Sequence, residues 1–556
     1  MSLKVMKMFD INLYRKELKE VYGADTTIIP MNCSLFDNSG HEISDVEIVS
    51  RFSGSNGVAV ISGEKGILSV DGRYKTQALL EVDKNIWEVR TYPEYTVIGI
   101  LKELMKNGEI LLFPTNSHTY KTYLSMIAAG IKLKTTEIHP VLKYRSITSC
   151  DNELVNTLFV ADSEENLEKR LEIVRKNITK EEAILITDKN TVSWIFGIRK
   201  QKLEKDYSPL ADIAAIITSN KAEVLSNNNL KEYKNLKIKT DFSSVSSIFI
   251  LNNDCKFIDY KYVYGGIKTE SEINAHKRGA YEASTSFIKM LAYIDHFVRN
   301  GSKITEREAI SMFSNEKAIN FSFNPICASG RNTAVVHYNP KGDIYIEKDK
   351  LFLFDAGFHF IDSSTDMTRT MYLGENPPEI FKKVYTSVLK SLIFYSSCRF
   401  PTKTKGHNLD AICRYYMWQY GFDYVFGTGH GVGNYRAVHE KPNISRNSDD
   451  EIVANMVTTV EPGYYTEEYG IRLENMLLSR VSKELADRVE FQTINYIPFC
   501  LKLIDTTMLN KNEVNWLNIY NIEIKNKILI LFENDKIIKD WVITNTKNVD
   551  YSIEVF

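Results

Sequence analysis

Apolar residues recur at helical spacing most clearly after residue 269. Ile273, Ala280, Ala283, Phe287, Leu291 and Ile294 fall on one face of a helix. Just ahead of them, Thr269-Glu270-Ser271-Glu272 has the form of a capping box, in which the first and last side chains satisfy free amides at a helix start. Thr305 and Glu308 repeat that signal for a second helix. Pro377-Pro378 opens a third, with Phe381, Val384, Val388 and Leu392 on one face. A fourth over 407–420 stops at Gly421. Between them, 344–346, 351–354, 368–373, 457–460 and 477–479 read as strands, and the tail after 498 predicts one more strand and a helix around Trp516. Helices and strands without strict alternation point to an α+β arrangement.

The first half patterns differently. Residues 58–70 and 214–227 each read as two short strands around a turn, the signature of a hairpin. Each follows an aromatic-glycine stretch, Arg51-Phe52-Ser53-Gly54 or Trp194-Ile195-Phe196-Gly197. Each lies in a block that also holds an apolar strand candidate, 110–113 or 183–187. An internal duplication giving two related α/β domains is the economical reading, and a coincidence of two hairpins is the alternative. Breaks near His139-Pro140 and Tyr264-Gly265-Gly266 divide the chain into 1–139, 140–264 and 265–556.

The 556 residues are 44% hydrophobic and 25% charged, which excludes wholesale disorder, collagen and coiled coil. With 69 basic and 71 acidic side chains the formal charge is −2, leaving no electrostatic footprint for nucleic acid or an anionic membrane. The seven cysteines (33, 150, 255, 327, 398, 413 and 500) are odd in number and form no CxxC pair, so free thiols in a reducing compartment are expected. No apolar run approaches the ~18 residues of a membrane span, and the N-terminus has no signal-like apolar stretch. A soluble cytoplasmic protein is the expectation.

Candidate chemistry crowds into 337–474. Asp355 ends an apolar strand and Asp366 begins another eleven residues later, so an antiparallel hairpin would bring the two carboxylates together. Glu461 and Glu474 repeat the arrangement thirteen residues apart, around the break at Pro462-Gly463. Each acid alone reads equally as a turn or cap residue. Close ionised carboxylates repel unless a cation lies between them. His430 stands in Gly427-Thr428-Gly429-His430-Gly431-Val432-Gly433, where glycines let backbone pass close to a site; a lone His there is either a ligand or structural. The string is not a dinucleotide fingerprint, and His439-Glu440 lacks the second His of an HExxH zinc site. Asp355, Asp366, His430, Glu461 and Glu474 together make an oxygen-rich set that suits Mn²⁺ and accepts Co²⁺, Fe²⁺ or Zn²⁺. Four carboxylates exceed the needs of one divalent ion and fit a bridged pair.

These strings, with Val438-His439-Glu440, Thr459-Val460-Glu461-Pro462-Gly463 and Gly470-Ile471-Arg472-Leu473-Glu474, resemble the M24 pita-bread metallopeptidases of the aminopeptidase P (Xaa-Pro aminopeptidase) type. The resemblance extends to Phe52-Ser53-Gly54 and Asp71-Gly72-Arg73-Tyr74 near the N-terminus, to 265–272, to 328–338, and to Asn515-Trp516-Leu517-Asn518-Ile519-Tyr520 in the tail. It implies a pita-bread catalytic domain preceded by two related creatinase N-terminal-like α/β domains. It also implies two Mn²⁺ ions, with Co²⁺ or Zn²⁺ as substitutes. Asp355 and Asp366 would hold one ion, His430 and Glu461 the other, with Asp366 and Glu474 shared. Glu461 would shuttle the proton of an activated water, and His337 and His439 would contact the peptide.

The same resemblance makes Arg73 a peptide contact or simply a hairpin end, Arg472 a supporting group or a neutraliser of nearby acids, and Tyr464 a proline-pocket wall or a packing residue. It implies release of the first residue from peptides with proline at position two, in a homodimer with Trp418 at a subunit contact. Prolidase action on Xaa-Pro dipeptides is the rival within the class. A non-catalytic peptide-binding scaffold is the rival outside it, although such a scaffold would be expected to lose ligands. One departure stands out: the family commonly has His just ahead of the GTGH string, and this chain has Phe426.

Overall fold

The structure is a computed structural model. It describes residues 9–31, 43–145 except 64, 93 and 107, 154–156, 164–200, 207–262 except 212, and 265–551 except 341 and 486. Cys33, Cys150 and Tyr264 lie outside the described residues. The chain separates into two compact units, Met1–Tyr264 and Gly265–Phe556.

The first unit is built on two sheets. Strands β1 (Thr26–Pro30), β2 (Val58–Ser62), β3 (Gly66–Asp71), β4 (Trp87–Tyr92), β5 (Ile110–Pro114) and β6 (Lys132–Thr136) form a sheet in the order β4-β3-β2-β1-β5-β6. Strands β7 (Glu182–Ile186), β8 (Ala214–Thr218), β9 (Ala222–Leu225), β10 (Lys237–Thr240) and β11 (Lys256–Asp259) form the other, in the order β9-β8-β7-β10-β11. In both, an antiparallel hairpin joins a strand that continues into two parallel neighbours: β3-β2-β1-β5-β6 in one and β9-β8-β7-β10-β11 in the other. The two expected hairpins are therefore equivalent. The two apolar strands that accompanied them are not: β7 precedes its hairpin and matches β1, whereas β5 follows its hairpin and matches β10. Near-continuous burial along β1, β7 and β8 follows from their central positions, with both faces covered.

The second unit opens with the thirty-residue helix α1 (Glu270–Arg299), capped by the Thr269–Glu272 box and burying all six residues of its apolar stripe. Helix α2 (Glu306–Met312) carries the Thr305–Glu308 box. A three-stranded antiparallel sheet follows, made of β12 (Ile326–Ser329), β13 (Leu351–Ala356) and β14 (Met367–Tyr372), with β13 central. Helix α3 (Glu379–Ser396) starts after Pro378, and α4 (Gly406–Gln419) ends before Gly421, whose φ of +77° suits the reversal there.

The larger sheet of this unit is antiparallel. Its strands are β15 (Arg399–Pro401), β16 (Gly429–Gly431), β17 (Glu440–Ile444), β18 (Val457–Val460), β21 (Asn475–Val481) and β22 (Arg488–Thr493), in the order β15-β22-β21-β18-β16-β17. The short hairpin β19 (Gly463–Tyr465) and β20 (Gly470–Arg472) stands between β18 and β21. Helices α5 (Lys511–Ile528) and α6 (Lys536–Asn545) complete the unit.

Two expectations fail. Residues 344–346 make only an isolated bridge, Tyr345 to Thr305, because their backbone is spent on the start of α2: Glu306 N donates to Ile344 O (2.9 Å) and Ile346 N to Ile304 O (2.8 Å). Among the described residues the tail after 498 contains helical turns and the helices α5 and α6 but no strand.

Candidate metal centre

Two antiparallel sheets of the second unit each deliver a pair of acids. Strand β13 pairs with β14 so that Asp355 faces Thr368 and Ala356 faces Met367; Asp366 follows diagonally at the foot of β14. Gly357 permits the tight crossing, since a Cβ there would lie 1.8 Å from the Thr365 carbonyl oxygen. Strand β18 pairs with β21 up to Val460 opposite Asn475, which puts Glu461 and Glu474 at the open end of that ladder. Glu474 N donates to Thr368 O (3.1 Å), joining the two pairs. His430 comes from β16; a Cβ at Gly429 would meet Thr459 O at 2.2 Å, so the absence of a side chain there lets β18 approach.

The five side chains converge. Ligand atoms of Asp355, Asp366 and Glu474 lie within 4.8 Å of one another, as do those of His430, Glu461 and Glu474. His430 Nε2 is 3.4 Å from Asp366 Oδ2 and 3.5 Å from Glu461 Oε1. Its Nδ1 lies 3.0 Å from the Gly431 carbonyl; a proton on Nδ1 donated there leaves the Nε2 lone pair turned toward the acids. Asp366 and Glu474 are 3% and 1% exposed, whereas the Glu461 side chain keeps 21% of its surface open.

Burial, then the charges of Asp355 and Glu461, push the Asp366 carboxyl well above its usual range; burial, then Asp366 and Glu461, do the same to Glu474. Among the acids Asp355 is gripped by the Arg472 guanidinium, which also holds the Tyr465 hydroxyl. Asp355 Oδ1 is buried with no hydrogen-bond partner. An orphaned oxygen, an imidazole lone pair aimed at carboxylates and an excess of buried negative charge fit bound divalent cations.

The remaining expected site residues divide. His439 joins the cluster: its ring centroid is 4.3 Å from that of His430, its Nε2 is 4.0 Å from Asp366 Oδ2, and it is solvent-exposed. His337 is half-buried in the loop after β12, beside Val336, whose carbonyl accepts from Arg472 Nη1 at 3.4 Å. Tyr464 is half-buried against Phe422, with ring centroids 4.7 Å apart. Arg73 belongs to the first unit, on the turn after β3, where Asp71 holds its guanidinium by two contacts of 3.0 and 2.6 Å. Phe426 is 7% exposed and packs against Tyr424 (5.0 Å) and Tyr465 (5.7 Å).

Several supports escaped the sequence reading. Thr368 Oγ1 donates to Glu474 Oε2 (2.8 Å) and accepts from Arg472 Nε (3.2 Å). Arg369 is fully buried and donates to Glu474 O (2.6 Å), Asn475 Oδ1 (2.8 Å), Ile497 O (2.8 Å) and the Tyr520 hydroxyl (3.0 Å). Arg414 on α4 clamps Asp410 (2.7 Å) and the carbonyls of Tyr424 (2.6 Å) and Phe426 (2.5 Å), while Thr428 Oγ1 donates to Asp410 Oδ1 (2.7 Å). That clamp fixes the segment leading to His430. The available signal was an arginine between two threonines, on a strand beginning beside a candidate ligand.

A carboxylate-rich dinuclear-type centre at the meeting of two antiparallel sheets defines the class: a metallohydrolase on a pita-bread catalytic unit. Residues 278–480 match metallopeptidase family M24, residues 487–549 the C-terminal region of peptidase M24, and residues 22–147 the creatinase/prolidase N-terminal domain. The second unit thus carries an M24 metallopeptidase domain, and the first a creatinase-type N-terminal domain.

A relative from Sordaria macrospora, described as a probable Xaa-Pro aminopeptidase P, is 28% identical over 96% of this chain and 98% of its own. One from Neurospora crassa with the same description is 29% identical over 90% and 83%. The fold matches a solved structure described as X-prolyl aminopeptidase from Caenorhabditis elegans, a cytosolic enzyme with a di-nuclear active site. The TM-score is 0.87, with 25% identity over 95% of each chain. Among the described residues no helix is long and apolar enough to cross a membrane.

Proposed function

We propose that this chain is a manganese-dependent Xaa-Pro aminopeptidase, releasing the first residue of peptides with proline at position two. The observation that carries the reading is the convergence of Asp355, Asp366, His430, Glu461 and Glu474, with none of the five replaced. Asp355 and Asp366 would hold one ion and His430 and Glu461 the other, with Asp366 and Glu474 shared. Bound there, two divalent ions would polarise the scissile carbonyl and make water nucleophilic near neutral pH.

The chain's own groups supply the rest. Glu461, the most open of the acids, takes the water proton and returns it to the departing proline nitrogen, which leaves poorly as an anion. His439, exposed beside His430, and His337 contact the peptide around the bond that breaks. Arg472 holds Asp355 and fixes its orientation. An Xaa-Pro amide has no N–H, so recognition rests on ring shape and on the free α-amino group. Tyr464 is a candidate wall for the ring, and Arg73 a candidate peptide contact.

The enzyme acts in the cytoplasm as a homodimer. The apolar side chains Phe394, Tyr415 and Trp418 on α3 and α4, each 39–48% exposed, are the candidate subunit contact. The test is hydrolysis of Arg-Pro-Pro, Arg-Pro and Arg-Ala-Pro by the Mn²⁺-loaded chain. Release of arginine from the first peptide alone supports the reading. Cleavage of the dipeptide alone would mean a prolidase, equal rates on the Pro and Ala tripeptides a general aminopeptidase, and metal binding without turnover a scaffold.

A further inference from the structure

One buried carboxylate outside the cluster has no cation to answer it. Glu306, the first residue of α2, is 1% exposed, and among the described residues no basic side chain pairs with it. Its Oε1 accepts from Ser329 N (2.8 Å) and Asn332 Nδ2 (3.0 Å), and its Oε2 accepts from the Tyr338 hydroxyl (2.8 Å). Asn332 Nδ2 also reaches the Tyr338 oxygen at 2.8 Å. These donors stand at the start, the middle and the end of the loop 329–338, so one side chain closes the loop on itself.

Burial raises the Glu306 carboxyl above its ordinary value even though Asn332, Ser329 and Tyr338 all pull it down. A charge buried without a cation is costly to the fold, and the loop's shape is what the cost secures. Tyr338 is the neighbour of His337. On its far side the loop is held independently: Gly470 N donates to Thr333 Oγ1 at 3.0 Å and Arg472 Nη1 reaches Val336 O at 3.4 Å. His337 thus sits between two tethered neighbours, one tied to the metal-side strand β20 and the other to Glu306.

We infer that Glu306 is a positioning residue: by closing the loop 329–338 it aims His337 at the bound peptide, and it acts on substrate binding without touching the metal ligands. The inference rests on the proposed peptidase reading. The experiment compares full-length, Mn²⁺-loaded wild type, Glu306→Ala, Glu306→Gln and Tyr338→Phe for metal content, melting temperature, kcat and KM on Arg-Pro-Pro, and hydrogen exchange of residues 329–338. Glu306→Ala is expected to keep its metal and raise KM about tenfold or more with kcat changed little. Glu306→Gln, which keeps an acceptor for Ser329 and Asn332, recovers most of the loss.

Tyr338→Phe, which frees only the end beside His337, gives a smaller rise in KM and serves if Glu306→Ala does not fold. A folded Glu306→Ala or Tyr338→Phe variant with wild-type KM, or one that loses metal instead, overturns the proposal. If wild type does not cut Arg-Pro-Pro, the peptidase reading fails by itself. Exchange then decides the loop claim: faster exchange confined to 329–338 in Glu306→Ala supports it, and unchanged protection overturns it.

Discussion

Buried charge in the first unit and buried charge at the metal site are treated in opposite ways. In the first, Asp45 is fully buried and meets the Arg145 guanidinium head-on, with Nε 2.7 Å from Oδ1. His139, also fully buried, spends one ring nitrogen on the Ile28 carbonyl (3.1 Å) and the other on the Val141 amide (3.1 Å). Those polar groups are balanced locally and serve the fold. In the second unit Asp355, Asp366, Glu461 and Glu474 crowd together, with Arg472 held against Asp355, and Asp355 Oδ1 is buried without a hydrogen-bond partner. The other large buried cation nearby, Arg369, turns its donors toward carbonyls, an amide oxygen and a hydroxyl and neutralises none of the four acids. A fold does not need such an imbalance; a ligand that brings positive charge does.

The contrast breaks most decisively at the shared acids. Asp366→Ala or Glu474→Ala should reduce turnover to background and lower the bound metal, as read by peptide hydrolysis and elemental analysis on the same sample. Either variant retaining wild-type activity with a full metal load would remove the assignment.

The next largest effect is on stability in the absence of metal. Asp366 and Glu474 have carboxyl pKa values raised by burial and by each other's neighbours, so the folded, metal-free site holds protons that the unfolded chain releases. That stability is present at low pH and is lost as pH rises above the ordinary carboxylate range of about 4. Chelated protein should therefore lose melting temperature relative to Mn²⁺-loaded protein as pH goes from 5 to 8, and a gap that stays constant with pH would count against a charge-driven site.

The first unit should respond with the opposite sign. Burial lowers His118 to about 4 and His139 to about 3. The unfolded chain binds protons below about 6.5 that these folded imidazoles refuse, so stability is present above that value and is lost as pH falls toward 4. Melting of Mn²⁺-free His139→Gln against wild type at pH 7 and pH 5 checks this: the variant's deficit should shrink in acid. His276 on α1, also lowered by burial, adds the same acid sensitivity to the second unit. This is why the chelated-minus-loaded difference is the informative measure there.

The smallest effect is expected at Phe426. The ring fills space between Tyr424 and Tyr465 beside the His430 segment, so the fold should accept an imidazole there. Phe426→His should raise kcat by about tenfold or less, since a positioned proton-transfer group contributes about 10²–10⁴-fold only when fully used. An unchanged or lower kcat with intact melting and metal content would show that the position holds no latent catalytic role.

Much of this was legible in the sequence because it is local. Capping boxes at Thr269 and Thr305, hairpin turns, and acids at strand ends are written in a few consecutive residues. The strand misassigned at 344–346 shows the limit: of its three apolar residues only Ile346 is buried, and its backbone hydrogen bonds go to the start of α2. Arg369, Arg414 and Glu306 were invisible for a related reason. Each acts through partners supplied by other elements, and a single charged letter carries no sign of whether it will be buried. The first unit's repeat was readable as two hairpins, but the matching of β7 with β1 needed the pairing directions.

The bond from Arg369 to the Tyr520 hydroxyl joins residues 151 positions apart and has a consequence for biosynthesis. A ribosome delivers all five metal-site side chains well before it delivers Tyr520. Until α5 emerges, Arg369 lacks one of the partners that seat it behind Glu474. The seating of Arg369 behind Glu474 is therefore completed only after α5 has been made, although the ligands themselves come earlier in the chain.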